Sequence, residues 1–203
     1  MLASGRGSNL LALLDAIDAD PDFGGQVVVV GSDRPQAGAL QHATDRGIAT
    51  LLVEPPDHPD RAAWEQALID GLRPHDVEVV VLAGFMRILS TAFVDTWPDR
   101  ILNTHPSLLP AFPGGHAVRD TLEHGVKVSG VTVHLVDDGV DTGAIIAQRA
   151  VDVLDGDDEQ TLHARIQDVE HVLYPQVVRL LCHHRIERRG HHVHVHPPAK
   201  EPS

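Results

Sequence analysis

The feature that most restricts the fold of this chain is the regular alternation of short apolar runs with amphipathic stretches. Val27–Gly31 is a nearly unbroken β-branched run, and Ala37–Arg46 reads as a helix closed by Gly47. Ala49–Val53 is a second short strand, followed by a helical stretch to Leu72 with Asp60 as its N-cap. Val77–Leu82 is the most emphatic strand, and Ile101–Thr104, Gly130–Val136 and Ala144–Val153 continue the series. A long helix follows from Asp158 to Leu181, with Leu162, Ile166, Val169, Leu173 and Val177 spaced by three or four residues. Strands alternating with helices imply βαβ units and a doubly wound, mostly parallel sheet. Strand runs apolar on both sides imply helices on both faces, a Rossmann-like α/β architecture. In such sheets ligands bind beyond the carboxyl ends of the strands, here the loops after Ala3, Leu82, Thr104 and Val136.

A chain of 203 residues fits one domain, expected over residues 1–181. Aromatic residues are only 3%, so the core has to be built from Val, Leu, Ile and Ala, as a covered sheet requires. Sixteen basic against 29 acidic residues give a formal net charge of −13, which argues against general nucleic-acid binding. A local anion site remains open, because a helix N-terminus needs no net positive charge to hold a phosphate. One cysteine, Cys182, excludes an internal disulfide and fits a reducing compartment. No apolar run approaches the roughly 20 residues that span a bilayer, and no signal-type segment opens the chain. A cytoplasmic protein without membrane partners is expected. The first strand has only Met1–Ala3 before the glycine loop, short of the usual five or so residues, so a start upstream of Met1 is expected. Residues 182–203, rich in His and Pro, are expected to be a poorly ordered tail whose HHxHxH run binds divalent metals only adventitiously.

Four segments carry candidate chemistry. Ser4-Gly5-Arg6-Gly7-Ser8-Asn9 opens a helical run, and its glycines permit a tight turn with free N–H groups facing outwards. It reads either as a phosphate cradle or as a purely structural turn; without a following Lys it is not a Walker loop. Asn103 and His105 are two apart at the end of a strand and share one face. An amide donor beside an imidazole can hydrogen-bond a carbonyl oxygen as charge develops there, and the imidazole can exchange protons. Val136-Asp137-Asp138-Gly139-Val140-Asp141-Thr142-Gly143 is an acidic turn whose spacing does not fit an EF-hand. One of its carboxylates facing His105 favours the imidazolium, and spacing alone does not choose which. Leu82–Ser90 places small and apolar residues with one Arg after the strongest strand, as core packing or as the wall of a pocket for a flat ligand.

With these pieces in order, the chain resembles the phosphoribosylglycinamide formyltransferases of purine synthesis. The resemblance rests on SGRGSN at 4–9, LAGFMRILS at 82–90, LNTHPSLLPAFPG at 102–114, VTVHLVDDGVDTG at 131–143 and the stretch Gln167–Pro175. It covers the chain to about residue 181. It implies formyl transfer from 10-formyltetrahydrofolate, as co-substrate and without a metal, to the amine of glycinamide ribonucleotide. The family's catalytic Asn, His and Asp fall on Asn103, His105 and Asp141, the last chosen by its place in the DTG match. Gly7, Ser8, Asn9 and Glu170 would hold the acceptor. Arg61, Met86, Arg87, Ile88, Leu89, Asn103, Asp137, Asp138, Gly139, Val140 and Asp141 would surround the folate. His116 and His134 match recurring positions in supporting roles. The implied partners are small molecules, with the chain a monomer or homodimer.

Three rivals share the motif or the fold. Methionyl-tRNA formyltransferase carries a further domain for RNA, and this chain is short and acidic. Formyltetrahydrofolate deformylase has no use for a phosphate cradle. A non-enzymatic binding module would be expected to have lost part of the trio, and Asn103, His105 and Asp141 are all present.

Overall fold

The computed structural model describes residues 1–197. Its elements are α1 (Ser8–Ala19), β1 (Val29–Ser32), α2 (Gly38–Asp45), β2 (Ala49–Leu52), α3 (Arg61–Leu72), β3 (Val80–Leu82), α4 (Thr91–Val94) and β4 (Ile101–His105). They continue with α5 (Ala117–Glu123), β5 (Val128–Leu135), β6 (Ile145–Asp152), α6 (Glu159–Cys182), β7 (Ile186–Arg189) and β8 (His192–Val195). Strand order across the main sheet is β2-β1, then Met1–Ala3, then β3-β4-β5-β6, with Leu2 bridging in parallel to both Gly31 and Leu82. The three residues before the glycine loop therefore occupy the centre of the sheet. Leu2 N–H donates to Val81 O at 2.8 Å and Ala3 N–H to Gly31 O at 3.0 Å.

The parallel part runs from β2 to β4; β5 and β6 are each antiparallel to their neighbour. The sheet is thus mixed. Side-chain alternation splits each central strand between two cores. Met1, Ala3, Val30, Val81 and Leu102 face one, with Leu10, Leu13 and Leu14 of α1 and Leu162, Ile166 and Tyr174 of α6. Leu2, Val29, Val80, Leu82 and Ile101 face the other, with Trp64, Leu68 and Leu72 of α3 and Phe93 of α4. This is the arrangement that strands apolar on both sides demand.

Local chemistry sets the helix starts. Asp60 caps α3 by accepting the Ala63 N–H at 2.8 Å, and Asp158 with Thr161 forms a capping box at α6. Asp157 is held there by Arg165 through two hydrogen bonds of 2.7 and 2.8 Å.

Within the expected tail, residues 183–197 fold back onto the domain. β7 and β8 form an antiparallel hairpin, and its Ile186 and Val193 pack against the first core. Arg188 pairs with Asp99 at 2.6 Å. The physical reason is the Val193/Ile186 side of the hairpin: alternation within the histidine run leaves His192, His194 and His196 exposed and turns Val193 inwards. The Pro-rich end at 198–203 lies outside the described residues.

Candidate active site

A cavity of about 570 Å³ opens at the carboxyl ends of the parallel strands, lined by the glycine loop, residues 82–89, the end of β4, the 136–141 loop and one face of α6. β4 supplies Asn103 and His105 from the same side. β5 is antiparallel, so its own carboxyl end does not point with the others. Its final residue pairs with Leu102, and the following loop folds back over Asn103. Gly143 makes this fold-back possible: a Cβ there would lie 1.7 Å from Leu135 O.

The fold-back delivers one carboxylate. Asp141 Oδ2 lies 3.3 Å from His105 Nδ1 and accepts the Gly114 N–H at 2.7 Å. Its Oδ1 lies 3.4 Å from Asn103 Nδ2. Asp137 is engaged instead within the turn, accepting from Gly139 N–H and Thr142 Oγ1. Asp138 is exposed and does not line the cavity. Geometry thus selects Asp141 as the partner of His105. Its backbone sits at φ 55°, a left-handed conformation that Asp tolerates better than most residues.

His105 is buried, with Nε2 2.8 Å from Phe112 O. Both ring nitrogens therefore face oxygen atoms. His134 is buried beside them. Its Nδ1 is 2.9 Å from Leu135 O, which places the ring proton there; Nε2 is 3.2 Å from Asn103 Nδ2 and 3.6 Å from Asp141 Oδ1. A neutral His134 accepts from Asn103, whereas a charged one faces the carboxylate. Burial raises the Asp141 carboxyl; His134, the Gly114 N–H and the charge of His105 outweigh burial and bring its pKa to about 2.

At the other end of the cavity Gly7 is the N-cap of α1, at φ +85° and with no side-chain cap. A Cβ on Gly7 would lie 2.8 Å from Ala39 Cα, so the loop needs glycine for space as well as conformation. Glu170 is buried and joins the two halves of this wall, accepting from Thr104 Oγ1 at 2.8 Å and Asn9 Nδ2 at 2.9 Å. Asn9 Oδ1 is buried, with no donor to it among the described residues.

The chain matches the formyl transferase model, "Formyl transferase", over residues 1–178. It is 50% identical to a phosphoribosylglycinamide formyltransferase of Mycobacterium tuberculosis strain CDC 1551 over 92% of this chain and 85% of that protein. It is 41% identical to the protein of the same name from Bacillus subtilis strain 168, over 89% and 92%. The crystal structure of glycinamide ribonucleotide transformylase 1 from Symbiobacterium toebii superposes with a TM-score of 0.94 at 45% identity, covering 97% of this chain and 92% of that one. The chain belongs to the formyl transferase family.

The cavity of this formyl transferase brings together most of the residues singled out in the sequence. Gly7, Ser8, Asn9, Met86, Arg87, Ile88, Leu89, Asn103, His105, Asp137, Gly139, Val140, Asp141 and Glu170 line it, as do His116 and His134. Arg61 does not. It borders an adjoining basin of about 490 Å³ with Met86, Arg87 and Ile88, donating to Ile88 O at 2.7 Å and Glu65 Oε1 at 2.9 Å. Glu65 is buried and also holds the Ser90 hydroxyl and N–H. Sequence reasoning passes over the backbone groups of Phe112 and Gly114, which no side-chain motif encodes. It also passes over Asp33, although the rule of carboxyl ends in a parallel sheet points to the loop after β1. Among the described residues no helix is long and apolar enough to cross a membrane.

Proposed function

We propose that this chain transfers the formyl group of 10-formyltetrahydrofolate to the amine of glycinamide ribonucleotide, giving the formylated ribonucleotide and tetrahydrofolate. The observation that carries the reading is the convergence of Asn103, His105 and Asp141 in one cavity whose opposite end is the uncapped N-terminus of α1. It agrees with the names of relatives up to 50% identical over most of their length.

The chemistry follows from the side chains. The acceptor amine attacks the formyl carbon and forms a new C–N bond. The carbonyl oxygen gains charge, which the Asn103 amide and the His105 imidazolium offset. The bond from the formyl carbon to the folate nitrogen then breaks, and the proton lost by the attacking nitrogen goes to the departing one. Asp141 keeps His105 in its charged form and offers an oxygen to a water relaying that proton. The acceptor phosphate sits on the free N–H groups of Gly7, Ser8 and Asn9, with Glu170 toward its ribose. The folate lies between residues 86–89 and 137–141, with its distal end toward Arg61. Both substrates are small molecules, and the compartment is the cytoplasm. Holding them in one cavity supplies the proximity term.

The test is a spectrophotometric assay with glycinamide ribonucleotide and 10-formyl-5,8-dideazafolate. Acceptor-dependent release of the deformylated folate is expected. Steady formate release without acceptor, and no transfer with it, would replace this reading with a hydrolase.

A further inference from the structure

Three loops meet where Met1–Ala3, β1 and β3 end, and one carboxylate ties them. Asp33 has a fully buried side chain. Its Oδ1 accepts from Ser4 Oγ at 2.6 Å and its Oδ2 from Arg87 Nε at 2.7 Å. Ser4 Oγ in turn accepts the Met86 N–H at 3.1 Å, and Ser4 N–H donates to Gly84 O at 3.2 Å. A buried carboxylate is costly unless its oxygens are paired, and here both are, one by a cation and one by a hydroxyl. Arg87 spends only Nε on this contact; among the described residues its terminal nitrogens have no partner, and its side chain is 41% exposed where the main cavity meets the Arg61 basin.

We propose that Asp33 is a positioning residue of the donor site. Through Arg87 and the Ser4–Met86 contact it fixes the 84–89 loop against the root of the glycine loop and aims the free end of the Arg87 guanidinium at an anionic part of the folate. This rests on the reading above that residues 86–89 border the folate. It adds that the donor wall is set by a carboxylate that itself touches neither substrate. Asp33→Asn keeps the shape but removes the charge, and its amide can satisfy only one of the two donors as an acceptor.

The experiment measures Kd for 10-formyl-5,8-dideazafolate by calorimetry on the full chain, and steady-state constants for both substrates, for wild type, Asp33→Asn, Ser4→Ala, Arg87→Met and the double variant Asp33→Asn/Arg87→Met. Asp33→Asn should raise the donor Kd and KM roughly 10-fold, with kcat and the acceptor KM within about threefold of wild type. Ser4→Ala should move the donor constants in the same direction, and the double variant should weaken donor binding by less than the product of the two single effects. An unchanged donor Kd in folded Asp33→Asn overturns the proposal. So does an equal loss in kcat and both KM values, which marks a general structural role. Should Asp33→Asn not fold, Ser4→Ala and Arg87→Met decide by the same criteria. A wild type that binds the analogue but transfers nothing sinks the proposed function and leaves this inference standing; a wild type that does not bind it overturns both.

Discussion

Asp141 combines a left-handed backbone, an ion pair with His105 and a depressed pKa in one residue. Its pKa of about 2 lies below the ordinary 3.8, so the folded chain binds this proton less readily than the unfolded one. Its contribution to stability is therefore complete above pH 3.8 and is lost as the pH falls towards 2. In urea titrations the gap between wild type and Asp141→Asn should be constant above that window and shrink within it; a gap unchanged at the acid end would assign the effect to another group. In kinetics, His105→Ala and Asp141→Asn should each lower kcat by about 10²-fold or more, and a near-wild-type rate in either removes that residue from the mechanism. Gly7→Ala acts at the other end of the cavity. It forces a side chain into a left-handed conformation against Ala39, and should raise the acceptor KM by about tenfold or more while donor Kd is little changed.

Among the elements, α6 ties neighbouring strands together. The buried Tyr174 hydroxyl lies 2.6 Å from Leu82 O and 3.0 Å from Leu102 O, so one phenol bridges the end of β3 and the first half of β4. Tyr174→Phe should cost about 1–3 kcal/mol in urea unfolding, and a change under a few tenths would show that water replaces the hydroxyl. Periodicity in the sequence made α6 legible almost to the residue, and Asp60 announced α3, because both depend on local spacing and capping. The strand end that holds Asn103 and His105 was legible for a related reason: strand ends in a parallel sheet point the same way. β5 escaped that logic. Nothing in VTVHLV says whether it runs with β4 or against it, since a strand buried on both faces looks the same in either direction. Asp141 arrives at His105 through a glycine-dependent fold-back, a long-range outcome that spacing does not encode. The hairpin of β7 and β8 was hidden by composition, because its histidines outnumber the two apolar residues that anchor it.

For the whole molecule, the two cores share one sheet, so neither should melt alone. Leu13→Ala in the first and Leu68→Ala in the second, both buried, should each cost about 2–5 kcal/mol. Near- and far-ultraviolet circular dichroism should still give one coincident transition, and separate midpoints would show two independent units. The net charge of −13 opposes the approach of the anionic substrates proposed for this cavity. Raising ionic strength from low values should therefore increase kcat/KM by weakening long-range repulsion, and a monotonic decrease would point to local cations as the dominant field. The Asn9–Glu170 contact joins residues 161 apart in sequence, and it has a consequence for how the protein is made. The glycine loop is synthesised well before α6, so the Asn9–Glu170 contact cannot form until that helix has been made and docked. On the proposed reading, a product truncated before α6 lacks Glu170 and should not bind the ribonucleotide.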